Sequence, residues 1–166
     1  MLSIVLGLGA NQGDPAAGFA GALAALAAEA EVAGRSRLWL TRAVGPAQPD
    51  YTNAAVLVHW SGDPERLLAR CLELEARAGR VRHDDERWGP RPLDIDLLIA
   101  RDLVWRSPRL ELPHPRFADR VFALVPAAEV APDWVHPLSG RTLADLAAAA
   151  HATTPDALIS STPFRL

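Results

Sequence analysis

Two carboxylates stand one residue apart in PLDIDLLIA (92–100), a run otherwise apolar enough to be a core strand. Strand side chains alternate faces, so Asp94 and Asp96 share one side while Leu93, Ile95 and Leu97 share the other. At about 3.3 Å per residue, their Cβ atoms lie roughly 6–7 Å apart. Two divalent metals about 3.5–4 Å apart fit such a pair, with waters and phosphate oxygens completing the coordination. Unpaired acids on a core strand are costly, and a metal, an arginine or solvent must relieve them. The D-x-D pattern alone favours a plainer reading, the polar face of a half-exposed strand. Just upstream, however, Arg80, Arg82, Arg87 and Arg91 crowd into one loop. Guanidinium forks suit phosphate oxygens, each charge-assisted bond contributing about 1.5–3 kcal/mol. Acids that hold metal beside arginines that hold phosphate are the inventory of a phosphoryl-transfer site, and a structural ion-pair network is the competing reading.

Composition narrows the chemistry. All 17 basic residues are arginine, so Schiff-base chemistry and the lysines of P-loops and protein kinases are excluded. A net charge of −3 gives no global pull toward nucleic acid or anionic membrane. No apolar run reaches the roughly 18 residues a membrane span needs, and the start lacks the basic flank of a secretory signal. A cytoplasmic protein acting on small molecules, without nucleic acid or membrane partners, is the expectation, and a monomer is expected. The single Cys71 sits in a helical pattern and reads as a buried, inert thiol.

Other side chains could serve the same site. Glu75 lies at the edge of a buried helical stripe, where it either reaches out to solvent or serves a polar site beneath the arginine-rich loop. His114 sits between Pro113 and Pro115 with Arg116 and Arg120 close by; a lone loop histidine is more often surface, yet three phosphate-compatible side chains fall here together. Tyr51 and Phe122 could sandwich a flat heterocycle, although core packing explains Phe122 equally well. Asn53 offers a donor and an acceptor to the edge of such a ring.

These positions need a frame. Residues 2–9 read as a buried strand, and Asp14-Pro15 caps an alanine-rich helix reaching about residue 31. Strands follow at 33–42 and 53–60. Asp63-Pro64 opens a helix to Ala78 with Gly79 just past its end, and the acidic strand covers 93–100. A short strand at 109–112 and helices at 119–130 and 142–150 complete the chain. The order β-α-β-β-α-β is an α+β, ferredoxin-like sandwich with C-terminal helical additions. One domain over 1–166 is expected, loosely held from about residue 152.

Four motifs in this order resemble a known family. LGLGANQGD (6–14), QPDYTNAAV (48–56), RWGPRPLDIDLL (87–98) and LPHPRFADRVFALVP (112–126) are similar to 6-hydroxymethyl-7,8-dihydropterin pyrophosphokinases, and the resemblance runs from residue 2 to about 146. It implies transfer of pyrophosphate from MgATP to the pterin's hydroxymethyl oxygen, releasing AMP, in folate biosynthesis. Asp94 and Asp96 match the paired Mg²⁺ ligands, which implies two ions. Tyr51 and Phe122 match the pterin-stacking rings, and Asn53 a residue on the pterin edge. The backbone from Thr41 through Val44 to Gly45 matches a pterin-contacting loop. Glu75, Arg82, Trp88, Arg91, His114 and Arg120 match positions around ATP, Arg82 and Arg91 lying in mobile loops next to the chemistry. Ala10 stands where serine is usual, and Arg42 and Ala43 where proline is common. Two rivals remain, a metal-dependent nucleotidyltransferase and an RNA-binding ferredoxin-like module; the ATP product separates the first, an RNA-binding assay the second.

Overall fold

The computed structural model describes residues 1–43, 47–80 and 91–166, with Phe164 described by its backbone alone. In chain order, β1 (Leu2–Ala10) leads to α1 (Pro15–Leu26), then to β2 (Glu31–Arg35) and β3 (Arg37–Thr41). Next come β4 (Tyr51–Trp60), α2 (Pro64–Arg77) and β5 (Asp94–Ala100). A small hairpin of β6 (Trp105–Arg106) and β7 (Glu111–Leu112) precedes α3 (Val121–Val130), α4 (Leu143–Thr153) and β8 (Leu158–Arg165).

The aspartate–proline starts behave as their chemistry requires. Asp14 accepts from the Ala17 N–H at 3.1 Å and Asp63 from the Arg66 N–H at 2.9 Å, satisfying amides that a first helical turn leaves unpaired. Gly79 closes α2 with φ of 88°, a left-handed conformation in which a Cβ would be strained. Helix α1 stops at Leu26, short of the expected residue 31, because Glu31 is already paired with His59 across β2 and β4. The single strand expected over 33–42 is two, broken at Ser36. There the hydroxyl oxygen accepts from the Ala55 N–H at 2.8 Å while the Ser36 N–H donates to the Ala55 carbonyl at 2.9 Å.

The main sheet runs β5-β1-β4-β3-β8 with β2 also on β4, and its pairings are antiparallel. This is the ferredoxin-like order, with β2 and β3 together standing for the second strand. Alternation along β1 builds two cores. Ile4, Leu6 and Leu8 pack with Phe19 and Leu23 of α1 and Leu67, Cys71 and Leu74 of α2. Val5 packs the other way, with Ala55, Leu98 and the apolar faces of α3 and α4. Glu129 of α3 holds the sheet from that second side, accepting from the Arg37 N–H at 2.9 Å, the Arg37 guanidinium at 2.7 Å and the Trp39 indole at 3.1 Å.

The end of the chain has regular structure. It forms β8 along the outer edge of β3, which would otherwise present unpaired backbone groups to solvent. Thr162 Oγ1 accepts from the Leu38 N–H at 3.1 Å and the Leu166 N–H donates to the Ser36 carbonyl at 2.8 Å. Pro163 is tolerated because β8 is itself an edge strand. Among the described residues, no helix is long and apolar enough to cross a membrane.

Candidate active site

The site begins with two glycines. On the α3 side of the sheet, β1 presents Gly7 and Gly9, and their cross-strand neighbours form two rows, Asn53–Gly9–Asp94 and Ala55–Gly7–Asp96. A Cβ at Gly9 would come within 3.1 Å of Asn53 Oδ1 and 3.9 Å of Asp94 Cβ, and one at Gly7 within 3.1 Å of Leu98. Their missing side chains leave a trough between β4 and β5, part of a cleft of about 260 Å³. The β1–β5 register shifts between Val5 and Leu6, and Asp94, Asp96 and Leu98 all line the cleft.

One end of the cleft is built from β3 and β4. Thr41 and Asn53 are buried, and the Asn53 amide donates to Thr41 Oγ1 at 2.7 Å, which fixes which way that amide faces. Tyr51 sits half-buried beside them; burial pushes its phenol up, so it remains a neutral O–H. Phe122, at the start of α3, lines the cleft and also packs against the second core. The Arg120 guanidinium lies 5.6 Å from the Phe122 ring centroid.

The other end is charged. Asp94 is held by Arg80 and by Arg91, the latter at 2.6 Å. Asp96 accepts no hydrogen bond and forms no ion pair among the described residues. Burial first, then the neighbouring Asp94 carboxylate, push its carboxyl up to about 6. His114 and Arg120 close this end. Burial, with Arg120 and Arg116 beside it, holds His114 below its ordinary value, so its ring is neutral near pH 7. His114 Nδ1 accepts from the Arg116 N–H at 3.2 Å.

A divalent cation fits this chemistry. Asp96 is a hard oxygen donor facing the cleft with no direct ion-pair partner among the described residues, Arg120 and Arg80 acting on it only from a distance, and a cation would relieve its desolvation. Asp94 joins only when Arg80 or Arg91 releases it, and phosphate oxygens are the natural alternative partner for either guanidinium.

Glu75 stands behind this end rather than in it. It is buried to 1% exposure, accepts from the Ile95 N–H at 2.7 Å and pairs with Arg80 at 2.6 Å. Of the two readings open from sequence, the structure has the buried one, with Glu75 touching Arg80 and β5. Ala10 is fully buried and belongs to the α1–α2 core, so a hydroxyl there would face apolar side chains. Burial pushes the Cys71 thiol up to about 12, which leaves it inert. Val44, Gly45, Arg82 and Trp88 lie outside the described residues.

Sequence reasoning did not single out Gly7, Gly9 or Asn11 as parts of the site. The glycines carried a signal, since they alternate within a strand whose other face is leucine. Asn11 shows none beyond being a turn residue. Buried, it accepts from the Arg91 N–H at 2.8 Å and donates to the Pro49 carbonyl at 2.9 Å, fastening the loops at both ends of the cleft.

Known proteins are similar to this chain. Residues 5–132 match the family described as 7,8-dihydro-6-hydroxymethylpterin-pyrophosphokinase. A Synechocystis protein named 2-amino-4-hydroxy-6-hydroxymethyldihydropteridine pyrophosphokinase is 46% identical over 86% of this chain and 73% of its own length. A Methylorubrum extorquens protein of the same name is 44% identical over 86% of this chain and 90% of its own. Among solved structures, wild-type HPPK-DHPS of Plasmodium falciparum with SDX-DHP superposes with a TM-score of 0.68 at 13% identity, covering 93% of this chain and 44% of that one. This chain thus spans less than half of that protein, and the likeness speaks for the fold. With the family match covering most of its length, the chain belongs to the 7,8-dihydro-6-hydroxymethylpterin-pyrophosphokinases.

Proposed function

We propose that the chain transfers pyrophosphate from MgATP to the hydroxymethyl group of 6-hydroxymethyl-7,8-dihydropterin, yielding the pterin diphosphate and AMP, a step of folate biosynthesis. The new bond joins the pterin's hydroxymethyl oxygen to the β-phosphorus. The bond from that phosphorus to the α–β bridging oxygen breaks, and the hydroxyl proton leaves. Family membership and the relatives' names support this reading, and one geometric observation carries it for this chain. Asn53 and Asp94 occupy the same row of the sheet on either side of Gly9, so a ring-binding end and a phosphate-binding end lie about 10 Å apart, two inter-strand spacings.

At the ring end, Asn53 addresses the heterocycle's edge while Tyr51 and Phe122 offer its faces. Burial of Thr41 and its bond from Asn53 keep that amide from turning. At the phosphate end, Arg91, Arg120 and neutral His114 bind and orient the triphosphate, and Arg82 and Trp88, outside the described residues, are assigned to the nucleotide by the resemblance. Asp94 and Asp96 would hold a pair of Mg²⁺ ions, which when bound neutralise phosphate charge and lower the pKa of a coordinated hydroxyl. Most of the rate then comes from alignment and preorganised charge rather than from a side-chain base.

Asp96→Ala tests the reading. It should abolish AMP formation while leaving the circular dichroism spectrum and cooperative unfolding intact. Near-normal AMP production by that variant would remove the acids from the mechanism. The sheet surface that an RNA-stacking module keeps open is covered here by α3 and α4 around Val5, Ala55 and Leu98, which supports the small-molecule reading.

A further inference from the structure

The segment after β3 borders the ring end of the cleft, and Thr41 and Arg42 both line it. The Arg42 N–H donates to the Ala157 carbonyl at 3.0 Å, and its guanidinium Nε donates to the Asp156 carbonyl at 2.9 Å. Both acceptors belong to a short turn leading into β8, and β8 pairs with β3 from Thr41 opposite Leu158 to Arg37 opposite Arg165. One residue on, the Ala43 N–H donates to Asp50 Oδ1 at 3.2 Å, drawing the two sides of this loop together. A proline at position 42 could make neither of the Arg42 bonds, because it has no N–H and no guanidinium. The residues that make this clasp, 155–158, lie beyond the stretch 5–132 that the family description matches.

We infer that the C-terminal turn and β8 are a positioning element for the ring-binding end, acting through Arg42. The chain restrains this loop with a two-bond clasp from its own C-terminal segment. Arg42 is in this view a positioning residue: it restrains the backbone beside Thr41, whose hydroxyl in turn sets the Asn53 amide. The arrangement predicts an asymmetry, since the clasp touches the ring end and not the arginines around the phosphates. The inference rests on the pterin reading of that end.

The test measures pterin and ATP-analogue affinities separately by fluorescence titration of the full-length chain, with amide exchange at Arg42 as an independent monitor. Arg42→Ala, which keeps the N–H, should weaken pterin binding by about fivefold, the scale of one partly exposed charged hydrogen bond, and leave ATP-analogue affinity within about twofold. Arg42→Lys should recover part of the loss. The double variant Pro155→Gly, Asp156→Gly loosens the acceptor turn without touching the cleft. It should speed Arg42 amide exchange and weaken pterin binding in the same direction. Faster exchange with unchanged pterin affinity would overturn the inference, as would equal losses for pterin and nucleotide, which mark general destabilisation. Weakening by Arg42→Ala but not by the double variant would mean Arg42 meets the ligand directly, which also overturns it. A wild-type chain that binds no pterin would sink the functional reading, and this inference with it; wild-type binding with unaffected variants would sink the inference alone.

Discussion

Glu75 offers the sharpest test of how the acidic strand is positioned. Its carboxylate is 1% exposed, accepts the first internal N–H of β5 and neutralises Arg80, which in turn holds Asp94. Glu75→Ala leaves the Ile95 N–H without that acceptor and removes one of the two acids on Arg80. Breaking a buried pair in this way costs about 3–5 kcal/mol. For a chain of this length each kcal/mol lowers Tm by about 2–4 °C, so the fall should be roughly 6–20 °C. Glu75→Gln keeps a carbonyl for Ile95 but loses the charge, and should cost about 1.5–3 kcal/mol. Urea unfolding is the assay, with the midpoint falling at unchanged m-value. The conservative variant should keep its ATP KM within about threefold, because the glutamate acts on the strand and on Arg80. A Glu75→Ala loss below about 1 kcal/mol, or a Glu75→Gln variant of normal stability with a KM for ATP raised at least tenfold, would refute this reasoning and return Glu75 to direct nucleotide contact.

Other consequences follow from the same geometry. Asp96 titrates near 6 in the fold against 3.8 for a free aspartate, so between those values the folded chain holds a proton the unfolded chain has lost. Ligand-free stability should therefore fall as pH rises through that window. Asp96→Asn should raise stability near neutral pH by on the order of 2 kcal/mol while abolishing turnover, as thermal unfolding and AMP assays would show. Gly9→Ala places a methyl 3.1 Å from Asn53 Oδ1. That crowding should cost about 1–3 kcal/mol of pterin affinity, roughly 5- to 150-fold by titration, with nucleotide affinity little changed. Burial works to raise the Glu129 carboxyl, but the bonds from Arg37 and Trp39 outweigh it and hold it low. The stability it contributes should be present at neutral pH and lost as pH falls below the usual glutamate range, and Glu129→Gln should flatten that part of an acid-unfolding curve.

The sequence displayed the features that local chemistry determines. The aspartate caps, the alternation that puts Asp94 and Asp96 on one side, and the glycine ending α2 can each be read from a few neighbouring residues. What it hid depends on distant partners. Ser36 breaks a strand because Ala55, far along the chain, supplies both halves of a hydrogen-bonded exchange. Residues 158–165 look like a tail because Pro163 and a run of small polar residues suppress the strand pattern, and only the open edge of β3 makes them a strand. Glu75 could not be placed from its helical position alone, since solvent exposure and burial beneath Arg80 are both compatible with the edge of a stripe. Gly7 and Gly9 read as strand residues; their role as the floor of a cleft emerges only when β4 and β5 are laid on either side.

Phosphorus NMR of the reacting mixture tests the central claim most directly. Protein, MgATP and 6-hydroxymethyl-7,8-dihydropterin should give AMP and a new diphosphate ester in equal amounts, with both phosphorus atoms of the ester derived from the β and γ positions of ATP. Accumulation of ADP with a pterin monophosphate, or of free pyrophosphate with an adenylated pterin, would contradict it.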